Sequence, residues 1–139
     1  MNDSDFNFFQ NHSRTFLEMA FKTDRQERME HTDGYGKRTG VCGDTVEIFL
    51  KICDKKVQAV SFLVDGCINT NACCNAVVSL VEGKSVDTAW EVSPKQVAKL
   101  LDSLPKDHFH CAELVVGTLY LALANARENR RSPWKKFYS

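Results

Sequence analysis

The chain reads as an α+β domain, a small antiparallel sheet with helices packed on one of its faces. Three observations carry that reading. Thr45 to Cys53 alternates apolar and polar residues, and Val57 to Val64 is apolar and β-branched, so the two pair as a hairpin turned by Asp54-Lys55-Lys56. From Ile68 onward the apolar residues recur at helical spacing instead. Gly83 and Leu104-Pro105 then cut the second half into separate helices.

The elements follow in order. A first helix spans about Asp5 to Phe21, where Phe9, Phe16, Leu17, Ala20 and Phe21 are helically spaced. Lys22 to Glu30 is charged, and His31 to Gly40 holds three of the seven glycines, which reads as an irregular loop with a third, edge strand in it. The hairpin covers 43–53 and 57–66, with Val46, Ile48, Leu50 and Ile52 on one face and Thr45, Glu47, Phe49 and Lys51 on the other. On the second strand Val60, Phe62 and Val64 share a face. Ala72, Ala76, Val77, Leu80 and Val81 mark the next helix, stopped at Gly83. Ser85 opens a short helix to about Trp90. Ser93-Pro94-Lys95-Gln96 has the form of a capping box with proline at the first helical position, opening a helix to about Ser103. Cys111 to Arg127 is the longest helix, with Leu114, Val115, Thr118, Leu119, Leu121 and Ala122 facing inward. The domain is taken as 1–126. Residues 127–139 are a basic and aromatic tail (Arg130, Arg131, Trp134, Lys135, Lys136, Phe137, Tyr138) and read as solvated.

Composition narrows the class. With 139 residues, 43% hydrophobic and 26% charged, the chain can bury a core without disulfide staples. Lys+Arg and Asp+Glu are each 18, so net charge makes no case for nucleic acid, a membrane surface or an acidic substrate. No uninterrupted apolar run approaches the roughly 18 residues of a membrane span. The start, Met1-Asn2-Asp3-Ser4-Asp5, lacks the basic and apolar regions of a secretory signal. A cytoplasmic location is therefore expected, with the six cysteines as free thiols. Metal or catalytic roles then outrank disulfides.

Three stretches carry the chemistry: Gly40-Val41-Cys42-Gly43-Asp44, Asp65-Gly66-Cys67 and His110-Cys111. If the hairpin turns near Lys55, facing residues have numbers that sum to about 110, which sets Cys42 beside Cys67 and Asp44 beside Asp65 at the open end. Gly43 and Gly66 allow sharp turns and close approach to a bound group. Cys67 and Cys111 open helices, whose N-termini favour thiolate over thiol. One of the two orientations of the longest helix brings His110-Cys111 to the same place. Three thiols, a carboxylate and an imidazole suit an iron–sulfur cluster or zinc rather than magnesium or calcium. His110, as the neighbour of Cys111, is favoured over His108 as the imidazole ligand. Asp44, two residues after Cys42, is assigned a ligand or proton-handling role. His12 and His31 are read as surface or packing residues, and Cys53 as structural. Cys73 and Cys74 are read as packing inside their helix, with an auxiliary sulfur-holding role as the alternative.

Taken with Gly83-Lys84-Ser85 and Leu104-Pro105, these motifs resemble the iron–sulfur cluster assembly scaffolds of the IscU/NifU N-terminal type, from about Gly40 to Ala126. The resemblance implies a three-stranded antiparallel sheet carrying helices. It implies a scaffold and not an enzyme. Cys42, Asp44, Cys67, His110 and Cys111 correspond to that family's cluster and zinc ligands. By the same resemblance Cys111 is the first persulfide acceptor from a cysteine desulfurase. A transient [2Fe–2S] cluster then forms on Cys42, Cys67 and Cys111, with Asp44 or His110 completing the set, and passes to recipient apo iron–sulfur proteins. Asp44 makes the cluster labile. Three departures mark a divergent branch. Where the family often has Leu-Pro-Pro-Val-Lys, read by an Hsp70-type chaperone, this chain has Leu104-Pro105-Lys106-Asp107-His108, so that partner is not carried over. The small Ser/Ala run after the second cysteine is replaced by Ile68-Asn69-Thr70-Asn71-Ala72-Cys73-Cys74, and the family's Asn-Pro-Arg segment near the N-terminus is missing. The alternatives are a zinc-bound persulfide relay on the same residues, an enzyme using Cys111 as nucleophile with His110 or His108 as base, and an interaction module without metal.

Overall fold

Strands β1 (Gly34–Thr39), β2 (Thr45–Cys53) and β3 (Lys56–Asp65) form one antiparallel sheet in that order. The structure is a computed structural model and describes residues 14–102 and 104–131. Thr45 faces Asp65 and Ile48 faces Phe62 across the hairpin, the register expected from the sequence. Asp54 and Lys55 make the turn with φ of 51° and 63°, the left-handed pair that suits a tight hairpin. A register shift between Lys51 and Ile52 marks a bulge just before it.

Among the described residues the helices are α1 (Arg14–Phe21), α2 (Ile68–Val81), α3 (Val86–Trp90), α4 (Pro94–Leu101) and α5 (Phe109–Arg131), with a 3-10 turn at Lys106–His108. Val46, Ile48, Leu50, Val60 and Phe62 meet the buried residues of α2 and α5 in one core, which Phe16 and Ala20 of α1 join. Helix α2 is buried almost all round from Thr70 to Val78. Its two buried asparagines hold α1: Asn71 Nδ2 donates to the Ala20 carbonyl (2.8 Å) and Asn75 Nδ2 to the Met19 carbonyl (2.7 Å). These carbonyls lie at the C-terminal end of α1, where helical partners run out.

Helix α5 lies along β1 and β2. The glycines that suggested an irregular loop permit that approach. A Cβ at Gly36 would stand 2.6 Å from the Thr118 carbonyl oxygen and 2.7 Å from the Ala122 nitrogen, and one at Gly34 would fall on the Ala122 carbonyl. The edge strand is therefore a helix-packing strand. The other side of the sheet is closed by side chains. Phe49 is 2% exposed there, beneath the Tyr35 ring at 5.1 Å and the Arg28 guanidinium at 5.3 Å.

Several boundaries differ from expectation. Leu121 is 46% exposed, because it falls outside the arc of α5 that holds Leu114, Val115, Thr118, Leu119 and Ala122. Helix α5 starts at Phe109 and runs to Arg131, so 127–131 continue the helix and are not tail. Within Lys106–Arg131 an 18-residue window has mean hydropathy 1.3, long and apolar enough to cross a membrane by length and composition. The count of uninterrupted apolar residues missed it because Gly117, Thr118 and Tyr120 interrupt the run. That window is 56% buried, and its apolar side forms the core. The capping box is present: Ser93 Oγ accepts from the Gln96 N–H and Gln96 Oε1 from the Ser93 N–H. The helix expected over residues 5–13 and the tail over 132–139 lie outside the described residues.

Candidate metal centre

The site begins where β2 and β3 part. Gly40 to Asp44 is a tight turn, with the Gly43 N–H on the Gly40 carbonyl (3.0 Å) and the Gly40 N–H on the Asp44 carbonyl (2.9 Å). Gly43 has φ of 90°, a conformation that L side chains rarely adopt. The turn pushes Val41 (99% exposed) and Cys42 into solvent and sends Asp44 inward.

Asp44 reaches the start of α2. Its Oδ2 accepts from Thr70 Oγ1 at 2.6 Å and from the Cys67 backbone N–H at 3.3 Å. Cys67 is the N-cap of α2 and has no side-chain cap of its own, so the carboxylate supplies the acceptor that the helix end lacks. Gly66 makes the room, since a Cβ there would lie 2.5 Å from that same Oδ2. Burial alone would raise the Asp44 carboxyl. Hydrogen bonds from Thr70, from the Cys67 N–H and from the Cys67 and Cys42 side chains outweigh it and hold the group below its ordinary value.

Cys67, His108 and Cys111 come together: one ligand atom from each lies within 4.8 Å of the others. Cys67 Sγ stands 3.6 Å from Thr70 Oγ1, and His108 Nδ1 stands 4.0 Å from Cys111 Sγ. Thus the structure brings His108, rather than His110, to the two thiols. Residues three apart stack on one helical face, whereas adjacent residues diverge by about 100°. His110 lines the neighbouring hollow with Arg38, Gly40, Val41 and Glu113, its ring centroid 5.8 Å from that of His108. Cys42 lies outside the group of three, although its thiol interacts with Asp44 and Cys111.

Cys111 departs from expectation. Burial pushes its thiol up to about 11; the nearby Thr70 hydroxyl opposes the rise, and the Cys67 and Cys42 sulfurs add to it. It lies inside the first turn of α5 and is fully buried, so desolvation outweighs the helix end, and the metal-free protein holds a thiol there. A bound metal would displace that proton. Cys73 and Cys74 are buried in the core, and burial raises both thiols. Cys53 is exposed beside the hairpin turn, at the other end of the strand from Cys67.

Sequence reasoning missed Thr70, whose hydroxyl lies beside both Asp44 and Cys67. A hydroxyl carries no metal-ligand signal, but three residues past a helix-opening cysteine is the position that shares its face.

A family model described as the NifU-like N terminal domain matches residues 22–132. The iron–sulfur cluster assembly scaffold protein IscU 1 of Archaeoglobus fulgidus is 29% identical over 99 residues, covering 70% of this chain and 65% of that protein. The iron–sulfur cluster assembly protein IscU of Plasmodium falciparum is 30% identical over 105 residues, covering 76% and 63%. This chain thus spans somewhat less than two thirds of the length of these relatives. The fold matches the crystal structure of a putative scaffold protein for the SUF system from Fervidobacterium islandicum, with TM-score 0.68 and 17% identity over 82% of this chain and 97% of that one. With the model covering most of its length, the chain belongs to the NifU-like N-terminal domain family.

Proposed function

We propose that this chain is a scaffold on which a labile iron–sulfur cluster is assembled and then handed on. The observation that carries the reading is convergence. Two segments far apart in sequence, around Cys67 and around His108-Cys111, deliver two thiols and an imidazole within 4.8 Å, and a third, the Cys42–Asp44 loop, sets an anchored carboxylate and an exposed cysteine beside them. Cys42, Cys67 and Cys111 hold the cluster, of the [2Fe–2S] type, and Asp44 or an imidazole of the His108 and His110 pair takes the last place. A carboxylate or imidazole is a harder, more exchangeable ligand than thiolate, which suits a cargo that must leave. The cluster is cargo, and the role is assembly rather than catalytic turnover.

Sulfur arrives as persulfide from a cysteine desulfurase. The Cys111 sulfur attacks the outer sulfur of the donor persulfide; the donor S–S bond breaks as the new one forms. The donor cysteine leaves as thiol, taking the proton from Cys111, with no net oxidation. The cluster then passes to recipient apo iron–sulfur proteins. All six cysteines are free, which fits the reducing cytoplasm. A second reading, a zinc-bound persulfide relay on the same residues, draws on the compact S, S, N donor set, which zinc binds tetrahedrally.

Iron and acid-labile sulfide per chain, after anaerobic incubation with ferrous iron and sulfide, test the proposal on the parent and on Cys67→Ser. Stoichiometric iron and sulfide on the parent, lost in the variant, are expected. Retained zinc without sulfide would replace the scaffold with the relay.

A further inference from the structure

We infer that Thr70 is a positioning residue: its hydroxyl clamps one oxygen of Asp44 and leaves the other as a single-point, detachable metal ligand. The inference rests on the proposed role of Asp44 as a ligand.

Thr70 is 0% exposed, and its hydroxyl sits among the candidate ligands. It is 2.6 Å from Asp44 Oδ2 and 3.6 Å from Cys67 Sγ. A hydroxyl has one proton to give. Of the acceptors, Asp44 is the charged one and the closest, so the proton goes there and forms the stronger, charge-assisted bond. The Cys67 N–H reaches the same Oδ2, and Gly66 packs against it. Both hydrogen bonds fall on Oδ2. They use its lone pairs and fix the plane of the carboxylate, so Oδ1 is the oxygen left to offer a metal once the neighbouring thiols give up their protons to it. A ligand held by its far oxygen is pre-aimed, yet it can let go of the metal without losing its own anchorage.

This assigns a purpose to the hydroxyl in the helix turn after Cys67, where an apolar residue would pack equally well. Partners that hold a metal ligand in place typically affect affinity by about 10–100-fold.

The probe is cobalt(II) alone, titrated anaerobically into the full chain and followed by its thiolate charge-transfer and d–d absorption. The expected result is one cobalt per chain in the parent. Thr70→Val, which keeps the shape and loses the hydroxyl, should bind roughly 10–100-fold more weakly, keep the thiolate band, and show the d–d spectrum of Asp44→Ala. Thr70→Ser should restore the parent spectrum. In an Asp44→Ala background, Thr70→Val should change nothing further. A Thr70→Val protein that matches the parent while Asp44→Ala does not would overturn the inference and leave the scaffold intact. So would a Thr70→Val effect that persists without Asp44, since that marks a merely structural role. Absence of any thiolate band in the parent would instead remove the metal-site reading, and this inference with it.

Discussion

The two ends of the β2–β3 hairpin are built from similar residues and do opposite things. At the closed end, Cys53 is followed by Asp54 and Lys55, two left-handed residues that return the chain at once. Among the described residues no other thiol or imidazole joins it in a ligand cluster, and Cys53 stays an exposed thiol. At the open end the strands diverge after Thr45 and Asp65, and each continues into a glycine-bearing turn. Into that gap come the start of α2, with Cys67 and Thr70, and the start of α5, with His108 and Cys111. Chemistry is placed where two helices begin and the ladder ends, because backbone donors are unpaired there and side chains from three elements can meet. The lesson is that a cysteine's role follows from the number of elements that arrive beside it.

That contrast can be broken or sharpened. The largest effect should come from the shared floor of the sheet. Phe62→Ala removes a ring that is 1% exposed and should cost about 3–5 kcal/mol in urea unfolding, disabling both ends together. Next, Gly36→Ala forces a methyl against the Thr118 carbonyl and should cost about 1–3 kcal/mol. Because it shifts α5 on β1, it should also weaken metal binding at the open end while leaving the hairpin turn intact, readable as amide protection at Val57 and Val86, whose N–H groups bond the Lys84 and Lys55 carbonyls beside the turn. Asp44→Ala should change stability least, by about 1 kcal/mol, the worth of a helix N-terminal acceptor. It should nevertheless lengthen the lifetime of a bound cluster in air severalfold, because the carboxylate is where a cluster opens. Decay that matched or outpaced the parent would remove that role.

Much of this was legible in the residues. Strand alternation gave the hairpin, its register and hence the meeting of the Cys42 and Cys67 loops. The Ser93 capping box and the Gly83 stop fixed two helix boundaries, since both act within one turn of chain. Longer-range matters were hidden. Gly34 and Gly36 look like looseness in sequence and become meaningful only once α5 lies on them. His110 is the sequence neighbour of Cys111, but His108, about one helical turn away, shares its face. The helix-start rule lowered Cys111 in expectation, whereas its burial, a tertiary property, decides the sign.

The most direct test of the account compares the hairpin ends within one sample. Alkylation of the native protein, resolved peptide by peptide, is run with and without one equivalent of zinc or an assembled cluster. Without metal, exposed Cys42, Cys53 and Cys67 should label readily and buried Cys73, Cys74 and Cys111 slowly. Metal should slow Cys42 and Cys67 by roughly tenfold or more and leave Cys53 unchanged, because a coordinated thiolate is no longer a free nucleophile. Equal protection of Cys53 and Cys67, or protection of neither, would contradict a metal centre at the open end.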